Sequence, residues 1–305
     1  MTASEALNKV KKRKLNVKFF FVVLSFILPA LAFYLIFMLM PIVDTLKISL
    51  TDWNGIKLSY NYEGLKNYWN LITDKLFISA VLHTLFWVAA QLVIIVIPTL
   101  ILAYAITHVK RGMAFFRAAY YLPAIVSFPV AAVIWGKIYN PTMGPINAVL
   151  KAVGLGSLAQ NWLGNQYTVL PALIIASTWV QYGFYLVIFM AGLQGIDKQL
   201  YESADIDGAS TFVKLFRITV PSLSNTVNLI VSLVIINAFK GFSMVWINTQ
   251  GGPMYKSDLI ATYIYREAFT SYKVGLGSAG GILLAVFIMA ATVLFNVVRE
   301  KRDAT

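Results

Sequence analysis

Cysteine is absent from the 305-residue chain, and histidine occurs only twice. The first absence excludes disulfide bonds, thiolate nucleophiles and cysteine-based metal sites. The two histidines, His83 and His108, stand alone near the ends of one apolar run, where a hydrogen-bonded or interfacial imidazole is the ordinary interpretation. No G-x-x-x-x-G-K-[ST] phosphate loop occurs, so the chain is not expected to hydrolyse ATP. With no catalytic constellation in view, we expect a non-enzyme that carries no cofactor or metal of its own.

Charge is scarce as well. Charged residues make up 12% of the chain and hydrophobic residues 59%, with a mean hydropathy of +0.72. Soluble domains carry roughly 25% charged residues, so this composition indicates a protein integral to a lipid bilayer. The net charge of +12 would suggest nucleic acid as the partner of a soluble domain. Beside long uncharged runs it instead indicates basic loops that face a cytoplasm and anionic lipid, and no nucleic-acid partner is expected.

Uncharged runs mark where the chain can cross hydrocarbon. A transmembrane helix needs about 20 apolar residues, and its backbone must satisfy its own hydrogen bonds. The sequence therefore predicts an all-α integral membrane protein in which residues 19–298 form the membrane domain. Its six transmembrane helices are expected at about 19–43, 78–108, 114–138, 168–194, 220–247 and 274–298.

Positive charge sets the predicted orientation, because Lys and Arg accumulate in short loops on the cytoplasmic side. Residues 1–18 form a basic tail. With an even number of spans, most of the 25 basic residues fall on the same side of the membrane as this tail. Both termini, including the tail 299–305, are predicted to be cytoplasmic, and so is the loop 197–217.

The loop 197–217 interrupts the apolar pattern with several charges. Asp197 can cap a helix that starts at Lys198, and Gly208 can end it, since glycine adopts the left-handed conformation readily. Ser210 can then cap a second short helix. Such helices lie on lipid or fit a groove on a partner protein. An ordinary interfacial loop is the alternative.

A resemblance adds what composition cannot. The string Glu202-Ser203-Ala204, followed by Gly208, Ile218 and Pro221, resembles the EAA-x3-G-x9-I-x-L-P signature of permease subunits in binding-protein-dependent ABC importers, with Ser203 and Val220 as departures. Other blocks occur in family order, among them FRAAYYLPAIVSFPVAAVIWGKIYNPTMGPIN from residue 116 and TQGGPMYKSDLIATYIYREAF from residue 249. They are similar to the carbohydrate-uptake permeases, in particular to the first of their two paired subunits.

The resemblance implies an ABC importer permease fold in a bacterial or archaeal cytoplasmic membrane. It implies a second homologous permease subunit, a dimer of cytoplasmic ABC ATPases that use ATP and Mg²⁺, and an extracytoplasmic solute-binding protein. The loop 198–216 would be the coupling helix that docks in a cleft of the ATPase, with Phe212 and Phe216 packing it beneath the bundle. Its docking surface would comprise Glu202, Ser203, Ala204, Asp207, Gly208 and Ala209. The outer turn Gly251-Gly252-Pro253 would lie near the docked binding protein.

A sugar site needs aromatic faces for stacking, together with a few amides or hydroxyls. The stretch STWVQYGFYLVIF in the fourth predicted span contains both. The resemblance implies sugar contacts from this span and the fifth, although Asn237-Ala238 stands where the family has an aromatic-Asn pair. The expected contacts are Trp179, Gln181, Tyr182, Phe184, Asn237 and Phe239. Taken alone, these side chains also fit packing or interface-belt roles.

The expected function is therefore that of a permease subunit importing sugars or oligosaccharides. A permease for another solute, such as glycerol phosphate or peptides, is an alternative, although a phosphate would require several basic groups and only Lys240 is near. An ion-coupled secondary carrier is disfavoured because the predicted spans lack the paired carboxylates that such carriers use.

Overall fold

The computed structural model describes residues 17–109 and 112–303. The parts of the predicted tails at residues 1–16 and 304–305, and the basic pair Lys110 and Arg111, lie outside the described residues. Within the described ranges the regular structure is helical, apart from one isolated bridge between Thr51 and Tyr62.

Four π-helical turns occur in the described ranges, three of them within longer helices and the fourth at Leu215–Thr219. Helix α1 runs as Val17–Tyr34, Leu35–Leu39 and Met40–Ser49, α3 as Lys75–Gln91, Leu92–Val96 and Ile97–Thr107, and α12 as Ile260–Tyr265 and Arg266–Thr270. The other membrane-domain helices are α2 (Lys66–Thr73), α4 (Met113–Ile125), α5 (Phe128–Ile138), α6 (Pro145–Ala152), α7 (Val169–Gln194), α10 (Ser224–Phe239), α11 (Ser243–Thr249) and α13 (Val274–Asp303). Between α7 and α10 lie α8 (Lys198–Ile206) and α9 (Thr211–Lys214), the latter followed by the turns Leu215–Thr219 and Val220–Ser222.

Five of these helical segments are long and apolar enough to cross a membrane, namely α1, α3, α7, α10 with α11, and α13. A sixth crossing results if α4 and α5 are taken together, as the sequence predicts for 114–138. The segment is bent within this span, because α4 and α5 meet at 97°. Pro129 explains much of the break, since it has no N–H to donate to the carbonyl of Ile125.

Helix α7 is the central helix of the chain. Of its most apolar 18-residue window, 61% is buried inside the chain, whereas none of the corresponding windows of α1 and α13 is buried. A helix that is apolar around its whole circumference is suited to such a position. Its side chains pack with α3 and α10 in two core clusters, one around Leu173 and Val180 and the other around Leu186 and Phe189.

Helix α4 crosses α7 at Gly183. A Cβ atom on Gly183 would lie 2.4 Å from the carbonyl oxygen of Tyr120 and 2.6 Å from the Cα of Tyr121. Both atoms belong to the backbone of α4, so no side-chain rotation could make room. The absence of a side chain at residue 183 therefore sets how closely the bent pair α4–α5 approaches α7.

Gly183→Ala is expected to force α4 away from α7 and to lower the free energy of unfolding by about 1–3 kcal/mol, the usual cost of overpacking. Thermal unfolding of the purified chain in detergent measures this. Gly281→Ala in α13 is the matched control, because a Cβ atom there would meet no atom within 4 Å. Equal loss of stability in the two variants would contradict the assigned crossing.

Candidate functional site

A cavity of about 540 Å³ lies between α3, α7, the α4–α5 hinge and the α10–α11 junction. This volume falls within the range of about 300–1,000 Å³ that is usual for small-molecule sites. Residues 124–128, which form the hinge, line one wall. The 97° bend between α4 and α5 therefore shapes the cavity directly.

A network of amides and one hydroxyl lines the cavity on the α3 and α7 side. The Nε2 of Gln91 donates to the Oγ of Ser177 at 3.0 Å, and the Nε2 of Gln181 donates to the Oε1 of Gln91 at 3.2 Å. Gln91 is 1% exposed, while Gln181 is partly exposed at the cavity. Because buried Gln91 is held by these bonds, it fixes the orientation of the more accessible Gln181 amide.

Aromatic and polar groups face this network. Phe184 is 44% exposed, and its ring lies 5.3 Å from that of Tyr185 in an edge arrangement. Across the cavity, the Nδ2 of Asn237 donates to the hydroxyl of Tyr185 at 3.2 Å. An exposed aromatic face beside fixed amides can bind a ligand that has both C–H surfaces and hydroxyl groups.

Lys240, the C-cap residue of α10, also lines the cavity. This agrees with the expectation that Lys240 is the one basic group near the substrate. Trp87 and Gln91 on α3 and Ser127 at the hinge line the cavity as well but were not predicted. The position of Gln91 in an otherwise apolar run was the available signal for it.

The six residues expected to contact a sugar are divided among three places. Gln181, Phe184 and Asn237 line the cavity. Trp179 and Tyr182 line a separate groove that also includes Tyr120 and Trp135. Phe239 is buried in the core and lines neither surface.

The division follows from helix geometry. Successive residues of an α-helix are about 100° apart, so residues 181 and 184 share a face that residues 179 and 182 do not. The Gly183 crossing separates the cavity from the second groove, with Tyr121 of α4 in the cavity and Tyr120 in the groove. Sugar contact by Trp179 and Tyr182 stays a prediction, and it would take place in this second groove rather than in the cavity.

The inner loop, residues 197–217, has the helix N-caps that the sequence predicts. The Oδ1 of Asp197 accepts from the backbone N–H of Gln199 at 2.9 Å, and the Oγ of Ser210 accepts from that of Val213 at 3.4 Å. Gly208 has a φ of +71° directly after α8 and its C-cap, a conformation that glycine adopts without strain. The caps and the stop therefore define two short helices with a fixed corner between them.

Side-chain contacts hold α8 to the segment that leads into α10. The hydroxyls of Tyr201 and Thr219 are hydrogen-bonded at 2.8 Å, and Asp205 forms an ion pair with Lys214. Leu215 is buried beneath the loop. The loop is thus held to the segment that leads into α10, and its exposed side chains include Glu202, Ser203 and Asp207.

Two expectations about the loop need correction. Phe212 and Phe216 do not pack it beneath the bundle: they are 71% and 50% exposed, and their rings lie 4.5 Å apart. Ala204, expected on the docking surface, is buried. The family resemblance implied an inward position for both aromatic residues, but Leu215 is the residue that is buried there.

The outer turn is fixed by a buried ion pair. Nη2 of Arg266 lies 2.6 Å from Oδ2 of Asp258, which is almost fully buried. Gly251, with a φ of +90°, packs against Asp258, and a Cβ atom there would lie 2.8 Å from its Oδ1. Gly251 itself is buried and Gly252 and Pro253 are partly exposed, whereas the following Met254 and Tyr255 are exposed. Met254, Tyr255 and the next residue, Lys256, are the most accessible part of this segment.

Comparisons with known proteins identify the family to which the chain is similar. A family model described as "Binding-protein-dependent transport system inner membrane component" matches residues 109–303. The chain is 32% identical to the probable ABC transporter permease protein YurN of Bacillus subtilis, over 88% of this chain and 92% of YurN. It is 31% identical to the diacetylchitobiose uptake system permease protein NgcF of Streptomyces coelicolor, over 95% of this chain and 85% of NgcF.

The fold also matches a solved structure. One chain in the crystal structure of a bacterial alginate ABC transporter, in complex with an alginate pentasaccharide-bound periplasmic protein, superposes with a TM-score of 0.84. The sequences are 23% identical, and the match covers 95% of this chain and 98% of that one. At this identity the likeness concerns the fold alone.

The chain has no cysteine, so single-cysteine labelling can test the cavity. Phe184→Cys is expected to react with a water-soluble, negatively charged thiol reagent more than about tenfold faster than Phe189→Cys, because residue 189 becomes accessible only when the core opens locally. Phe189 is the matched control, since it lies on the same helix and is 0% exposed. Similar rates in the folded protein would contradict the assigned orientation of α7.

Proposed function

The chain belongs to the family of inner membrane components of binding-protein-dependent transport systems, and from this premise we propose that it is one of two permease subunits of an ATP-driven importer of sugars or oligosaccharides. It crosses the cytoplasmic membrane several times. The observation that carries the choice of substrate is the network of Gln91, Ser177 and Gln181 beside the exposed ring of Phe184.

This combination is the one a sugar requires. Amides and hydroxyls orient sugar hydroxyls, while an aromatic face covers the C–H surface of the ring. NgcF, a relative over 95% of the chain, is named for the uptake of diacetylchitobiose. We assign Gln181, Phe184 and Asn237 to substrate contact, with Gln91 and Ser177 as positioning residues behind Gln181.

The importer would contain further proteins. We propose a homologous second permease subunit that completes the path, a dimer of cytoplasmic ABC ATPases that use ATP and Mg²⁺, and a solute-binding protein on the outer side. The solved alginate transporter contains a periplasmic protein bound to a pentasaccharide, which supports the last of these. Met254 and Tyr255, which are exposed in the outer turn, are the residues we propose to meet the binding protein.

The inner loop would transmit movement from the ATPases. Glu202, Ser203 and Asp207 are available to a partner, and the Tyr201–Thr219 and Asp205–Lys214 contacts join the loop to the segment preceding α10. Helix α10 then carries Asn237 at the cavity. Displacement of the loop by ATP-driven closure would therefore move one wall of the cavity and alternate its access between the two sides of the membrane.

The alternatives fit the cavity less well. An ion-coupled carrier uses intramembrane carboxylates, and no Asp or Glu is present among the described residues that line the cavity. Lys240 is the only basic side chain among the same residues, whereas a phosphate ester would call for several.

Gln181→Leu is expected to lower ATP-driven sugar uptake about tenfold. Loss of this amide leaves the buried amide of Gln91 and a hydroxyl of the sugar without a hydrogen-bond partner, which costs about 1–3 kcal/mol. The measurement is the initial uptake rate of the complete importer in proteoliposomes.

Gln194→Leu is the matched control, since Gln194 is the exposed last residue of the same helix. Uptake unchanged by Gln181→Leu would show that the cavity is not part of the transport path.

Trp179→Ala, assayed in parallel, tests whether the second groove also contacts the sugar. Loss of uptake with assembly intact would extend the site to this groove, and normal uptake would exclude Trp179 from the site.

A further inference from the structure

The described lining of the cavity contains a positive charge and no negative charge. Lys240 is exposed and is the only charged side chain among the described residues that line the cavity. It forms no ion pair with the described part of the chain. A cavity built for a neutral ligand gains nothing from a cation without a partner, because an unpaired charge is costly wherever water is displaced.

One hydrogen-bond donor beside the cavity has no partner in the described part of the chain. The indole Nε1–H of Trp87, a residue that is 1% exposed, has no hydrogen-bond partner in the described part of the chain. It lies beside Gly241, where a Cβ atom would be 3.1 Å from this nitrogen. The nitrogen itself is buried, so this donor lies directly behind the cavity wall at Gly241.

The N-terminus of α5 adds to the same polarity. Ser127 and Phe128 line the cavity, and the hydroxyl of Ser127, the N-cap residue, makes no capping bond. The first N–H groups of a helix carry a partial positive charge and favour anions. Lys240 and the start of α5 therefore bring positive charge to a cavity that has no carboxylate among its described lining residues, while the C-terminal ends of α4 and α10 reach the same cavity with their carbonyl groups.

We infer that the substrate is an acidic oligosaccharide, bearing a carboxylate such as that of a uronic acid, and that Lys240 is the residue that selects it. This inference rests on the proposed function and narrows its substrate class. A carboxylate carries one negative charge and matches one lysine, whereas a phosphate monoester carries nearly two at neutral pH. The amides and Phe184 bind the sugar, and Lys240 forms an ion pair with its carboxylate.

A structural role for Lys240 must be separated from this one. Lys240 ends α10, and a cation at a helix C-terminus is itself stabilising. Lys240→Arg keeps the charge in both roles, while Lys240→Gln removes it. Lys137→Gln is the matched control, because Lys137 is an exposed lysine in the last turn of α5 that does not line the cavity.

The test uses the complete importer in proteoliposomes with ATP inside. The probes are trisaccharides of glucose, mannose and galactose, each paired with the trisaccharide whose terminal residue is oxidised at C6 to the uronate. Initial uptake rates are compared within each pair, at concentrations that saturate the solute-binding protein so that its own selectivity does not enter. For at least one pair, the wild type is expected to transport the uronate about tenfold faster than the neutral sugar, the effect of one charge-assisted contact.

Lys240→Gln is expected to abolish this preference, and Lys240→Arg and Lys137→Gln to retain it. Equal wild-type uptake within every active pair would overturn the inference, as would a preference that survives Lys240→Gln. A Lys240→Gln variant that loses both members of a pair equally would assign Lys240 to the helix end and not to the substrate. Uptake of neither member of any pair by an assembled, ATP-hydrolysing wild type would contradict import of these hexose oligosaccharides, and the inference with it.

Discussion

The close crossing of α4 over Gly183 is the contact on which the geometry of both candidate binding surfaces depends. The backbone of Tyr120 and Tyr121 approaches so near that a Cβ atom at residue 183 would overlap it. Helix α4 is thereby held against the central helix, and α5 departs from it at 97°. The hinge forms one wall of the cavity, and the crossing divides the exposed part of α7 into the cavity face and the Trp179 groove.

A second constraint links the cavity to the inner side of the membrane. Helix α10 starts next to the capped loop and ends at Lys240 in the cavity. The hydrogen bond between Tyr201 and Thr219 and the ion pair between Asp205 and Lys214 hold the loop to the segment before that helix. Movement of the loop and movement of the cavity wall are therefore mechanically connected, which is the property that an ATP-driven permease needs.

Much of this arrangement can be read from the sequence, and the reasons are physical. Long uncharged runs can only be membrane helices, and Asp197, Gly208 and Ser210 have local conformational preferences strong enough to fix the loop corners. Pro129 indicates a kink or a helix end near residues 126–127, but neither this proline nor the hydropathy of the run gives the 97° angle between α4 and α5. The separation of Trp179 from Gln181 was available from the helical period but was not used.

Other features depend on tertiary contacts that no local pattern contains. Phe212 and Phe216 are as hydrophobic as Leu215, yet only Leu215 is buried. The place of Lys240 in the cavity depends on how α10, α3 and the hinge meet. Composition places a residue in a span, while packing decides which surface that residue faces.

Co-purification tests the central claim most directly. The chain would be tagged in its native cell and solubilised gently, and its partners identified by mass spectrometry. The comparison is between the wild type, Gly208→Val in the loop and Gly154→Val in an outer segment. Both glycines have a left-handed conformation, with φ values of +71° and +82°, and open space around them. The account predicts that an ABC ATPase and a second permease accompany the wild type and Gly154→Val, and that only Gly208→Val loses the ATPase. Recovery of the wild-type chain alone or as a homodimer, across several mild detergents, would contradict it.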